Sequence, residues 1–145
     1  MPNSFGKLKN VVQIDLQSNK IAALPDSIGG LKAVAKLDLS KNKLKSLPPS
    51  FGQLLQLNKL YLHNNKLMKM RSFMGQLSQL KIWYIDRKSF QKIPESFLQL
   101  NLDELCIVSP SIDFPMTHIK GAKNIKIHLH FLLDGHSKNI DFNQL

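Results

Sequence analysis

The chain has little from which covalent, membrane or catalytic machinery could be built. One cysteine, Cys106, stands among 145 residues. A single thiol excludes an internal disulfide framework, and with it the stapled caps common in secreted domains. No apolar run approaches the roughly 18 residues that a membrane-spanning helix needs. The opening residues, MPNSFGKLKN, hold no apolar stretch and so do not read as a signal peptide. No Asn is followed two residues later by Ser or Thr, which excludes a glycosylation acceptor. Gly29-Gly30 is the one glycine pair, and it does not have the spacing of a phosphate-binding loop. These absences together lead to the expectation of a cytoplasmic protein. Carboxylates are scarce too, with 10 Asp and Glu against 20 Lys and Arg, a formal charge of +10. Such an excess suits nucleic acid, an anionic membrane surface or an acidic protein, although lysine is also a common solubilising residue.

What the chain does have is repetition. VVQIDLQSNKI begins at Val11, VAKLDLSKNKL at Val34, LNKLYLHNNKL at Leu57 and a degenerate LKIWYIDRKSF at Leu80, each 23 residues after the last. Alternating apolar residues, as in Ile14-x-Leu16, give the period of a strand with one buried face. Asn19, Asn42 and Asn65 recur just after the strand. Their side chains are expected to bond backbone in the bend and so to satisfy groups it would otherwise strand. The return path repeats as well. Leu24-Pro25-Asp26-Ser27-Ile28 matches Leu47-Pro48-Pro49-Ser50-Phe51 and Ile93-Pro94-Glu95-Ser96-Phe97, with an altered third copy at Met70-Arg71-Ser72-Phe73-Met74. Proline at these positions favours extended chain and short turns over a long helix.

With NKIAALPDSIGGL, NKLKSLPPSFGQL and the strand segments as its carriers, the chain resembles leucine-rich repeats of the 23-residue LPxxIxxL type. These occur in bacterial repeat proteins and in intracellular proteins related to Ras-binding scaffolds. The resemblance implies an α/β solenoid, a right-handed superhelix with a parallel concave sheet and short 3₁₀ or one-turn helices on the convex side. It implies a non-enzymatic surface that holds another protein, and neither cofactor nor metal.

One domain is expected over 1–145, with regular repeats in 1–101 and a degenerate repeat plus cap in 102–145. The first unit opens in mid-repeat, since Met1, Pro2, Phe5 and Leu8 stand 23 residues before Leu24, Pro25, Ile28 and Leu31. An uncapped edge there predicts possible self-association. Past Leu100 the step shortens by one, to Leu102-x-x-Leu105-x-Ile107. Ile125-x-Ile127-x-Leu129-x-Phe131 reads as a further strand, Asp134-Gly135 as a turn and Ile140-x-Phe142 as a last short strand.

The register lines up three outward columns. These are Gln13, Lys36, Lys59, Ile82, Glu104; then Asp15, Asp38, Tyr61, Tyr84, Cys106; then Gln17, Ser40, His63, Asp86, Val108. The candidate protein-binding residues are Lys36, Asp38, Lys59, Tyr61, His63, Ile82, Tyr84 and Asp86, centred on two tyrosines expected side by side. Cys106 and Val108 are expected to extend the patch. The alternative is an anion-binding rim of Lys20, Lys43 and Lys66, directed at an anionic polymer or membrane. The interleaved Asp15, Asp38 and Asp86 disfavour nucleic acid on the strand face. His128 and His130 have a spacing that could serve zinc, but no second close pair accompanies them. A Cys106–His128 nucleophilic pair lacks any orienting group. Trp83 occupies a strand leucine position and is expected in the core.

Overall fold

The computed structural model describes residues 1–90, 94–109 and 126–131. Six strands form one parallel sheet in chain order: β1 (Gln13–Asp15), β2 (Lys36–Asp38), β3 (Lys59–Tyr61), β4 (Ile82–Asp86), β5 (Glu104–Ser109) and β6 (Lys126–Phe131). Ile14 faces Leu37, Leu37 faces Leu60, and Leu60 faces Trp83, so the step of 23 is the register of the sheet. Glu104 then pairs with Ile82, a step of 22 as the sequence suggests, and Lys126 pairs with Glu104 at the same shortened step. The strand read from the alternation after Ile125 is β6. The segments containing Pro110, Asp134-Gly135, His136 and Ile140-x-Phe142 lie outside the described residues.

The return paths are 3₁₀ helices: η1 (Asn3–Lys7), η2 (Asp26–Gly30), η3 (Pro49–Gln53), η4 (Ser72–Gln76) and η6 (Glu95–Gln99). Four of them follow a proline, at Pro2, Pro25, Pro48 and Pro94, with φ between −74° and −68°. The ring fixes that angle, and the next residues turn. Arg71 fills the same place before η4 with φ −105°, so the altered copy still turns without proline. Turns stack on turns and strands on strands, with the leucine columns between them. Leu37, Leu60, Trp83 and Leu105 are fully buried, as are Ile28, Phe51, Leu31, Leu54 and Leu77.

The asparagine ladder forms. Asn42 Oδ1 accepts from Ile21 N at 2.9 Å, and its Nδ2 donates to Leu16 O, Leu39 O and Ser40 O. Asn65 does the same with Leu44 N, Leu39 O and Leu62 O. Just before each Asn, Ser18, Lys41 and Asn64 take positive φ of 54° to 58°. The fourth repeat, where Lys88 replaces Asn, finds another solution. A fourth-repeat turn, η5 (Arg87–Phe90), replaces the bend. Asp86 accepts from Asn64 N and Asn65 N at 2.8 and 3.0 Å, and Ser89 Oγ donates to Leu67 O.

Trp83 lies in the core, its ring centroid 5.8 Å from that of Phe97, yet among the described residues its Nε1 has no hydrogen-bond partner. A buried donor without an acceptor costs about 1–3 kcal/mol. Trp83→Phe removes that penalty as it removes packing volume. Its net cost is therefore expected at about 1 kcal/mol or less, read from urea unfolding followed by far-UV dichroism. A loss approaching that of a full core truncation would show that the indole N–H is satisfied in solution.

Candidate binding face

Strand side chains alternate between core and outer face, so the outward columns fall where the register places them. Lys36 and Lys59 are neighbours in the first column and both are exposed. Tyr61 and Tyr84 are neighbours in the second, half-buried, with ring centroids 4.9 Å apart and planes inclined at 36°. Adjacent strands stand about 4.8 Å apart, and that spacing brings the two rings together. His63 stands 5.8 Å from the Tyr84 centroid, and Lys36 Nζ 5.8 Å from the Tyr61 centroid. An exposed ammonium over a ring in this way contributes about 0.5–1 kcal/mol. Ile82 is half-buried beside them.

Glu104 has a role that the columns alone did not announce. Its Oε1 accepts from the Tyr84 hydroxyl at 2.9 Å. It pairs with Ile82, so it reaches Tyr84 along the diagonal between neighbouring strands. The shortened step of 22 was the signal. A charge-assisted bond of this kind fixes the ring's tilt and its polar tip.

The carboxylates of the face are already engaged. Asp15 accepts from Gln17 N and Nε2, Asp38 from Ser40 N and Oγ, and Asp86 from Asn64 and Asn65. Cys106 and Val108 depart from expectation. They are 0% and 7% exposed, so the open apolar patch ends at Ile82 and Tyr84. Lys20, Lys43 and Lys66 are all exposed along the flank that follows the strands. At the β1 end Leu8 and Val12 are exposed large apolar residues. Among the described residues no group of three or more His, Cys, Asp or Glu could hold a metal, and no helix is long and apolar enough to cross a membrane.

Burial lifts the Tyr84 hydroxyl above the ordinary phenol range, aided by its bond to Glu104 and that carboxylate's charge. Burial also raises Tyr61, with Asp38 and then Glu104 adding to it. The Cys106 thiol is pushed up to about 12, by burial first and Glu104 second. All three groups hold their proton more tightly folded than unfolded. The unfolded chain therefore ionises first, and stability falls as pH rises past the free thiol and phenol values of about 8.5 and 10. Urea midpoints between about pH 8 and pH 11 are expected to decline, and less steeply in Tyr84→Phe. An unchanged slope in that variant would mean that its phenol ionises freely in the fold.

A parallel sheet of one short strand per 23 residues, with 3₁₀ returns and an asparagine ladder, defines a leucine-rich repeat solenoid. The chain belongs to that family: the leucine-rich repeat region family matches residues 3–122. No curated protein matches it in sequence. Among solved structures it is similar to a leucine-rich repeat protein of Leptospira interrogans, at 25% identity and a TM-score of 0.54. The match covers 89% of this chain and 46% of the other, so this chain spans about half that protein's length. Repeat regions of this class serve in general as surfaces that hold other proteins.

Proposed function

We propose that the chain is a non-enzymatic interaction module that holds a protein partner on its open strand face, with Tyr61 and Tyr84 as anchors. The observation that carries the reading is the tyrosine pair itself. Two rings lie in contact on a solvated face, oriented from one side by Glu104 and from the other by Lys36. Rigid aromatic groups with a polar tip lose little entropy on binding and are frequent interface anchors. Lys36, Lys59, His63 and Ile82 surround them and would complete the contact. Asp38 and Asp86 would serve chiefly as supports, since their oxygens already accept bonds from the chain.

Photo-crosslinking tests this. A benzophenone side chain introduced at residue 59, beside the pair, is expected to capture a partner from native lysate. The same group at residue 55, an exposed leucine on the flank preceding the strands, is not. Cutting either ring to alanine should weaken the captured complex by about 2 kcal/mol, some thirtyfold in affinity. Stability should shift by about 1 kcal/mol or less. Equal capture from both positions, or full affinity in the Tyr61→Ala, Tyr84→Ala double variant, would remove the strand face from the proposal.

A further inference from the structure

No carboxylate stands anywhere between Asp38 and Asp86, and those two already accept bonds from the chain's own donors. The flank leaving β2 and β3 lies within this stretch. Its Lys41, Lys43 and Lys45 are exposed and alternate with the buried Asn42 and Leu44. In the next repeat Lys66, Lys69 and Arg71 are exposed. The two repeats lie against each other here, with Lys66 N donating to Leu44 O at 2.8 Å. Among the described residues none of these six cations makes an ion pair. Met68 stands in their midst at 59% exposure, the highest among the exposed large apolar side chains of the described residues.

We infer that this flank docks on an anionic lipid surface. The inference goes beyond the strand-face proposal and does not depend on it. The cations extend in two directions, along the chain and across repeats about 4.8 Å apart, which suits a plane of headgroups better than a single strand of phosphates. Five of the six are lysines, compact point charges rather than the planar forks that recognise carboxylates bidentately. No aromatic residue occurs in 41–48 or 64–71, so bases would find nothing on which to stack. Met68 can enter the headgroup layer, where an apolar side chain is favoured. Each basic residue close to an anionic leaflet contributes about 1 kcal/mol, and the attraction is screened within a Debye length.

Vesicle co-sedimentation of the full chain tests the inference. Phosphatidylcholine with phosphatidylserine at roughly 7:3 should retain the protein at about 0.05 M salt, and release it at about 0.3 M. Pure phosphatidylcholine should not retain it. The Lys43→Glu, Lys66→Glu, Lys69→Glu variant is expected to bind at least about a hundredfold more weakly. Met68→Ser should weaken vesicle binding severalfold and leave duplex DNA binding unchanged. Tyr61→Ala, Tyr84→Ala should bind vesicles as the parent does, which separates this inference from the strand-face proposal. If the triple Glu variant fails to fold, glutamine at the same positions carries the comparison. Absence of binding to the mixed vesicles, or full binding by the folded charge variant, overturns the inference. Tighter binding to DNA than to vesicles, with Met68→Ser without effect on either, also overturns it and assigns the flank to nucleic acid.

Discussion

Asn42→Ala is expected to lower stability by about 3–4 kcal/mol, while the same change at Asn19 costs about 1 kcal/mol or less. The two residues occupy the same place in consecutive repeats, so the contrast isolates what stacking adds. Asn42 is 7% exposed and joins two repeats. It accepts from Ile21 N at 2.9 Å and donates to Leu16 O at 2.8 Å in one repeat, and to Leu39 O and Ser40 O in its own. Alanine leaves Ile21 N without an acceptor where water is largely excluded. Leu16 O, Leu39 O and Ser40 O each lose one donor and keep another, from Asn19 Nδ2, Asn65 Nδ2 and Ser18 N respectively. The stranded amide at about 1–3 kcal/mol, together with three bonds lost at about 0.5–1 kcal/mol each, accounts for the expected loss. Asn19 is exposed, and its side-chain bonds, to Leu16 O and Gln17 O, stay within its own turn. Water replaces them at little cost. Urea unfolding gives the magnitude, and hydrogen exchange at the Ile21 amide gives the place, since that proton should exchange much faster in Asn42→Ala. Equal losses at the two sites would mean that the bend, rather than the stack, sets the asparagine's contribution.

The ladder was legible because it rests on an identity repeated at a fixed step. So were the strand register, the tyrosine column and the buried Trp83, all of which follow from 23 and from alternation. The less legible features depend on chemistry that changes identity while keeping its role. Lys88 breaks the asparagine column, and Asp86 and Ser89 tie the fourth repeat to the third through other backbone groups, Asn64 N, Asn65 N and Leu67 O. From sequence Asp86 reads as an acceptor offered to a partner, and only its position relative to two amides of the preceding repeat reveals the other use. Cys106 and Val108 fall in outward columns by register, and register cannot report that the face is no longer open at β5. The 3₁₀ turn at η4 persists without its proline, because stacking on η3 and η6 supports a conformation that the ring only preselects.

The chain also carries a repeated feature whose reason appears only in three dimensions, and it predicts a loss of comparable size. Gly6, Gly29, Gly52 and Gly75 recur at the same step of 23, one in each of η1 to η4. None has positive φ, so the requirement is for space. Each glycine lies beneath the backbone of the following turn, at Ser27, Ser50, Phe73 and Ser96 respectively. A methyl group on Gly75 would stand well inside contact distance of the Ser96 carbonyl oxygen, and 2.6 Å from the Ser96 Cβ. A backbone carbonyl cannot rotate away as a side chain can, so η4 and η6 would have to separate. Leu77 and Phe97, packed in the core behind those turns, would lose contact as they did so. Overpacking of this kind costs about 1–3 kcal/mol, and Gly75→Ala is expected at about 3 because the obstacle is main chain. Ser78→Ala, exposed and two residues beyond η4, should change stability by about 0.5 kcal/mol or less. In a solenoid such a wedge acts between neighbours, so the unfolding transition should broaden as well as shift, the repeats on either side losing their coupling. Urea titration followed by Trp83 fluorescence, which reports the fourth repeat, and by far-UV dichroism, which reports the whole array, separates the two effects. A Gly75→Ala protein within about 1 kcal/mol of the parent, with coincident transitions, would show that the turns can part without loss and that the glycine column is not what sets their spacing.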